Sequence, residues 1–192
     1  MIDLIEQWIP TLWLVLLVIW ILAAFASKRT VQRQTGSSRL LHVVLVFIGI
    51  ALIFNLYHWF DSRWLATRVI PREAPYVLGG AIMTIAGLLF CIWARVVLGS
   101  NWSGTVTIKE HHELVRRGPY RIVRHPIYTG VLIGLMGTAF VYGFARCFVG
   151  ALIVGSAFWL KSQIEEQFMV QQFGEQYVQY RREVRALIPY IL

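Results

Sequence analysis

What most constrains this chain is where its charges are missing. Between Trp8 and Ala26, Leu40 and Phe60, and Tyr76 and Ala94 there is no Asp, Glu, Lys or Arg, and between Ile127 and Leu160 there is only Arg146. A helix needs about 20 predominantly apolar residues to cross a hydrocarbon core about 30 Å thick. Each of the first three runs therefore predicts one transmembrane helix. The fourth run, 34 residues long, would make a helix of about 51 Å at about 1.5 Å per residue, too long for one pass. A break at Gly143-Phe144-Ala145-Arg146 turns it into a tight hairpin, with Arg146 snorkelling to water at the tip. The expected fold is all-α: a polytopic integral membrane protein of about five transmembrane helices in a single domain, 1–192. Three N-terminal spans fill 1–98, and a polar loop, the hairpin and a tail fill 99–192.

Composition agrees, with 57% hydrophobic and 15% charged residues against about 25% charged in soluble domains. The first run is not preceded by basic residues as a cleaved leader would be. Asp3 and Glu6 come before it and Lys28, Arg29, Arg33 and Arg39 after it, so it is expected to be a retained helix. With five spans and the N-terminus outside, fourteen basic residues fall on the cytoplasmic side and four on the outer side. The positive-inside rule then places the C-terminus in the cytoplasm. The net charge of +8 follows from this asymmetry and suits anionic headgroups of membrane lipids. No basic face stands apart from the membrane segments, which argues against nucleic acid as a partner. Cys91 and Cys147 lie in apolar helices without metal or redox spacing and read as buried thiols. His111, His112 and Glu113 are adjacent and lack the i, i+4 geometry of a helical metal site, so no metal is expected. His42 and His58 fall within a span, where neighbouring helices are expected to satisfy them.

Two regions are too polar and irregular to be spans. The first begins Leu98-Gly99-Ser100-Asn101-Trp102-Ser103, continues through an extended Thr105-Val106-Thr107-Ile108, and runs on to Pro126. Gly118-Pro119 and His125-Pro126 each break helix, because the residue before proline is pushed out of the α region. Between the breaks stand Tyr120, Arg121 and Arg124, with Arg116 and Arg117 just before them. A helix then starts near Ile127, its free N–H groups and positive dipole end suited to a carboxylate or phosphate. The second region is the tail from Lys161. After Gly174, Tyr177, Tyr180, Val184 and Leu187 step by three and four, which predicts an amphipathic helix lying on the membrane or on the rest of the protein. Phosphate-loop, dinucleotide-binding and Gly-x-Ser-x-Gly signatures are all absent.

The stretch His112-Glu113-Leu114-Val115, Gly118-Pro119-Tyr120 and Arg124-His125-Pro126-Ile127-Tyr128-Thr129-Gly130, followed by Glu165-Glu166, Phe173-Gly174, Tyr177 and Tyr180, resembles the paired motifs of isoprenylcysteine carboxyl methyltransferases and related membrane phospholipid methyltransferases. Asn101-Trp102-Ser103 resembles a weaker third element. The resemblance covers 99–190 and implies a cytoplasmic cofactor-binding region for S-adenosyl-L-methionine, facing a lipophilic small-molecule or lipidated acceptor that arrives from the bilayer. By that analogy His112, Glu113, Leu114, Val115, Tyr120, His125, Pro126, Ile127, Tyr128 and Glu165 would bind the cofactor, and Lys161 and Glu165 would be catalytic. Lys161 stands where eukaryotic members carry an arginine, so charge is kept and the bidentate fork is lost. A carboxylate acceptor needs only a cation, Lys161 assisted by the loop arginines, whereas an amine acceptor needs a base, for which His125 is the candidate. Tyr120 and Tyr128 could wall a sulfonium with their rings. The expected activity is carboxyl O-methylation of an isoprenylcysteine-like acceptor. The alternatives are phospholipid (ethanolamine) N-methylation, an NADPH-dependent sterol-type reduction, or a non-enzymatic membrane scaffold.

Overall fold

In the computed structural model, residues 1–24, 36–56, 64–99, 102 and 114–189 are described. They form α1 (Ile2–Ala24), α2 (Gly36–Phe54), α3 (Ala74–Leu98), a 3-10 turn (Gly118–Arg121), α4 (Pro126–Tyr142), α5 (Ala145–Phe173) and α6 (Glu175–Glu183). Helices α1, α3 and α5 are long and apolar enough to cross a membrane, while Arg39–Phe54 within α2 and Pro126–Tyr142 are apolar but shorter. Large apolar side chains stay on the outside, as at Leu22, Ile82 and Leu152, the arrangement expected where lipid rather than water is the solvent.

Lipid gives no hydrophobic drive to helix association, so close backbone approach has to supply the packing. Helices α3 and α4 meet through glycines. A Cβ on Gly137 would fall 2.5 Å from the Thr84 nitrogen and 2.6 Å from the Gly80 carbonyl oxygen, and one on Gly130 would fall 2.7 Å from the Cys91 nitrogen. A hydroxyl network lies in the same seam: Trp13 Nε1 donates to Thr138 Oγ1 at 3.0 Å, and Thr84 Oγ1 donates to the Gly80 carbonyl at 2.9 Å. Helices α2 and α5 repeat the device, with a Cβ on Gly150 reaching 2.5 Å from the Gly49 carbonyl oxygen. Both cysteines are free and buried.

The hairpin expected in 127–160 is present, turned by Gly143 in the left-handed region (φ 71°). Its arms are unequal: α5 runs 29 residues, past the apolar stretch and into the charged tail. Arg146 does not reach out to water. It is 9% exposed and its guanidinium sits 4.1 Å from the centre of the Phe144 ring, because the 64–70 segment closes over the turn through Val69 N–H to Gly143 O (2.7 Å) and Ala145 N–H to Thr67 O (2.9 Å). The tail helix is also shorter than its spacing predicts. It ends at Glu183, Val184 is extended, and Leu187 is buried in the segment that follows.

Candidate functional site

The loop entering α4 is set by its glycine and prolines. Gly118 has a φ of 60°, which L side chains rarely adopt, and Pro119 occupies the first turn of the short 3-10 helix. Val123 is fully buried and bridges in parallel to Arg185. The backbone N–H of Arg124 donates to Arg185 O (2.8 Å) and that of His125 to Ala186 O (3.0 Å). Thr129 Oγ1 donates to Leu187 O at 2.7 Å, and the Tyr180 hydroxyl to Tyr120 O at 2.5 Å. Residues 184–187 thus form a strap across the loop, and α6 rests on the protein through Tyr177 and Tyr180, both 2% exposed.

Helix α5 meets this loop with Phe158, Lys161 and Glu165 at three- and four-residue steps, hence on one face. Glu166 is turned about 100° from Glu165 around the axis. His125 lies between the two carboxylates. Its Nδ1 is 3.4 Å from Glu165 Oε2 and its Nε2 is 3.3 Å from Glu166 Oε1. Burial by itself lowers the His125 pKa, but the hydrogen bonds and charges of Glu165 and Glu166 outweigh it and hold the imidazole above its ordinary 6.5. Arg124 donates to Glu166 Oε1 through Nε (2.8 Å) and Nη2 (2.6 Å), and through Nη1 to the Val184 carbonyl. Arg181 Nε is 3.0 Å from Glu166 Oε2, but that oxygen accepts no hydrogen bond, so this contact is an ion pair without hydrogen-bond geometry.

On the other face, the Tyr128 hydroxyl donates to Glu165 Oε1 at 2.6 Å, and Lys161 Nζ is 4.0 Å from the same oxygen and 5.4 Å from the Tyr128 ring centre. A column of rings runs from the loop into the helices. His125 lies parallel to Tyr128 (5.5 Å, 7°), Tyr128 stacks on Phe158 (4.6 Å, 17°), and Phe158 on His42 of α2 (5.8 Å, 29°). His42 Nδ1 lies 3.3 Å from Ala157 O, so a neighbouring helix does satisfy it.

Of the residues expected at the site, His125, Tyr128, Lys161 and Glu165 come together where the loop crosses α5, and Pro126 is buried in the first turn of α4. Tyr120 is buried, its hydroxyl 3.5 Å from the Ala94 carbonyl of α3. Burial pushes its phenol pKa up, and the charges of Tyr180 and Glu165 add to this. Ile127 packs on the Leu16, Leu88 and Cys91 cluster between α1 and α3, away from the carboxylates. Leu114 and Val115 are half-buried ahead of the 3-10 turn. His112 and Glu113 lie outside the described residues, as do His58, His111, Asn101, Ser103 and Thr105–Ile108. Two of the arginines expected to help hold an acceptor are engaged elsewhere: Arg124 with Glu166, and Arg116 with Glu183 while lying over the Tyr180 ring (5.1 Å). Phe158 belongs to the site without a motif to mark it, and Glu166, though part of the Glu165-Glu166 pair, has no role that the resemblance implies. The signal for Phe158 was available, since it sits three residues before Lys161 and seven before Glu165.

Fold and site together define a helical integral membrane protein with an acidic, aromatic-lined site at one end of its bundle. The phospholipid methyltransferase family profile matches residues 75–176, and the chain belongs to that family. It is 33% identical over 115 residues to protein-S-isoprenylcysteine O-methyltransferase B of Arabidopsis thaliana, covering 58% of each chain. It is 37% identical over 101 residues to the protein-S-isoprenylcysteine O-methyltransferase of Schizosaccharomyces pombe, covering 51% of this chain and 43% of that one. The chain thus spans about half the length of these curated relatives. Its fold is similar to the solved structure of the eukaryotic intramembrane Ras methyltransferase ICMT, with a TM-score of 0.52 and 22% identity over 82% of this chain and 54% of that one.

Proposed function

We propose that the protein is a membrane methyltransferase that uses S-adenosyl-L-methionine to esterify the carboxylate of a lipidated acceptor of the isoprenylcysteine type. The chain then crosses the bilayer five times, with the N-terminus outside and the site at the cytoplasmic rim. Family membership and the charge asymmetry of the sequence support this placement. The donor set suits the cofactor. Glu165, whose side chain is 22% exposed, can accept from an ammonium or from ribose hydroxyls. Tyr128 and Phe158 offer an aromatic wall, and α4 opens without a side-chain cap, leaving N–H groups for a carboxylate. When bound, the cofactor supplies a methyl group on a sulfonium sulfur, which passes in line to a nucleophilic oxygen while sulfur leaves as a thioether. What the chain contributes is position and exclusion of water. Lys161 holds the acceptor carboxylate, Glu165 holds the donor, Tyr128 orients Glu165, and Pro126 with Tyr120 shapes the floor.

The observation that carries this choice of acceptor is the placement of His125. An amine acceptor must lose a proton, and a carboxylate at each ring nitrogen favours the protonated imidazole, which leaves less of His125 free to act as a base. A carboxylate is already nucleophilic at neutral pH and requires only the cation at Lys161. The experiment incubates membranes containing the protein with methyl-labelled cofactor and treats the lipid extract with mild alkali. Volatile methanol label is expected from an ester. Label that stays with a headgroup would replace this reading with amine methylation.

A further inference from the structure

The face of α5 that carries Glu166 opens on a separate cavity of about 510 Å³, walled by Arg124, Arg181, Arg182, Arg185, Trp159 and Val178. Neither Lys161, Tyr128 nor Glu165 lines it. Its charges do not balance. Glu166 pairs with Arg124 and Arg181, and Glu183, the next carboxylate along α6, is taken by Arg116. Among the described residues, Arg182 and Arg185 have no acidic partner, so four arginines line the cavity while the one carboxylate paired with two of them, Glu166, is already shared between Arg124 and Arg181. Folding would not gather like charges around a cavity without cost, since neighbours a few ångströms apart repel by about 1 kcal/mol even in water. An anion in the cavity removes that repulsion.

The cavity's position narrows the choice of anion. Trp159 and Leu160 are 38% and 49% exposed at the end of the apolar stretch of α5, immediately before Lys161 begins the charged part of the helix. The pocket therefore sits where the lipid-facing surface gives way to the polar rim, and tryptophan concentrates at that depth. Guanidinium forks match phosphate oxygens in pairs, and basic pockets at this level bind anionic headgroups. We propose that the cavity is a binding site for the phosphate of an anionic phospholipid, distinct from the methyl-transfer site and independent of the identity of the acceptor. Occupancy fixes the strap, because the carbonyls of Arg185 and Ala186 accept from the backbone N–H groups of Arg124 and His125. The bound lipid thereby stabilises the loop that carries His125.

The test uses the full chain in nanodiscs of phosphatidylcholine alone or with added phosphatidylglycerol. Anionic lipid should raise the midpoint of thermal unfolding by several degrees. The gain should vanish in Arg182→Gln/Arg185→Gln and persist in Arg39→Gln, which removes a charge from α2 outside the cavity. Native mass spectrometry of the unaltered protein from mixed lipid should show several-fold enrichment of bound phosphatidylglycerol, whatever the variants do. A gain that survives the double substitution, or that Arg39→Gln abolishes equally, would mean diffuse attraction to a charged surface and overturn the site. A gain reproduced by soluble glycerol phosphate in phosphatidylcholine discs would assign the cavity to a free anion and overturn the lipid.

Discussion

Replacing Glu166 and Glu165 one at a time by glutamine should separate the two functions that adjacent carboxylates perform here. Glu166 is 3% exposed beside an Arg124 side chain that is 9% exposed, and it accepts from Arg124 Nε and Nη2 and faces His125 Nε2. Glu166→Gln leaves those cations buried without their counter-charge. Removing one partner of a buried ion pair costs about 3–5 kcal/mol. Glutamine keeps the shape and one acceptor oxygen, so the lower end, about 3 kcal/mol, is the working figure. For a chain of this size that corresponds to a fall in Tm of about 6–12 °C. Glu165→Gln removes a more accessible charge, and glutamine can still accept from the Tyr128 hydroxyl, so the fall in Tm should be small. Its effect belongs to ligand binding: a hydrogen bond to a charged group is worth about 1.5–3 kcal/mol, or about 10- to 100-fold in Kd. The assay is differential scanning fluorimetry in detergent, paired with titration by S-adenosylhomocysteine. Two results would refute the reasoning: a Glu166→Gln variant that melts with the unaltered protein, or a Glu165→Gln variant that melts far below it while binding the ligand normally.

Gly137→Ala would place a methyl group 2.5 Å from backbone at Thr84 and should cost about 1–3 kcal/mol of overpacking; Gly79→Ala, with nothing within 4 Å, should be neutral or slightly stabilising, and equal melting temperatures would show that α3 and α4 are not in backbone contact. Because the His125 pKa is raised in the folded state, its contribution to stability is fully present below about pH 6.5 and fades as pH rises through the raised value. His125→Gln should therefore narrow the difference in Tm between acidic and alkaline buffer, and an unchanged pH profile would mean that the carboxylates do not hold a proton there. Tyr180→Phe deletes the hydrogen bond to Tyr120 O and should cost about 1 kcal/mol, with faster amide exchange at Arg124 and His125; unaltered protection would detach α6 from the strap.

The sequence by itself determined the class of this protein, because charge-free runs, proline breaks and glycine turns are local properties that hold in any packing. The hairpin at Gly143, the start of α4 at Pro126 and the one-face spacing of Lys161 and Glu165 were all legible for that reason, and family motifs marked the loop and the tail as parts of one site. The partner of each side chain was not legible, because it depends on how the helices are rotated and how far apart they stand. Sequence spacing could not say that His125 would lie between Glu165 and Glu166 rather than face an acceptor, or that Arg124 and Arg116 would spend their charge on Glu166 and Glu183. Nor could it say that Arg146 would fold onto Phe144. The three-and-four step through Val184 and Leu187 predicted helix, yet the helix ends at Glu183, Val184 is extended, and in the strap that follows, backbone bonds to Arg124 and His125 replace those a longer helix would have made. Tertiary structure decided these points because buried polar groups take whatever partner the packing of distant segments brings within about 3 Å.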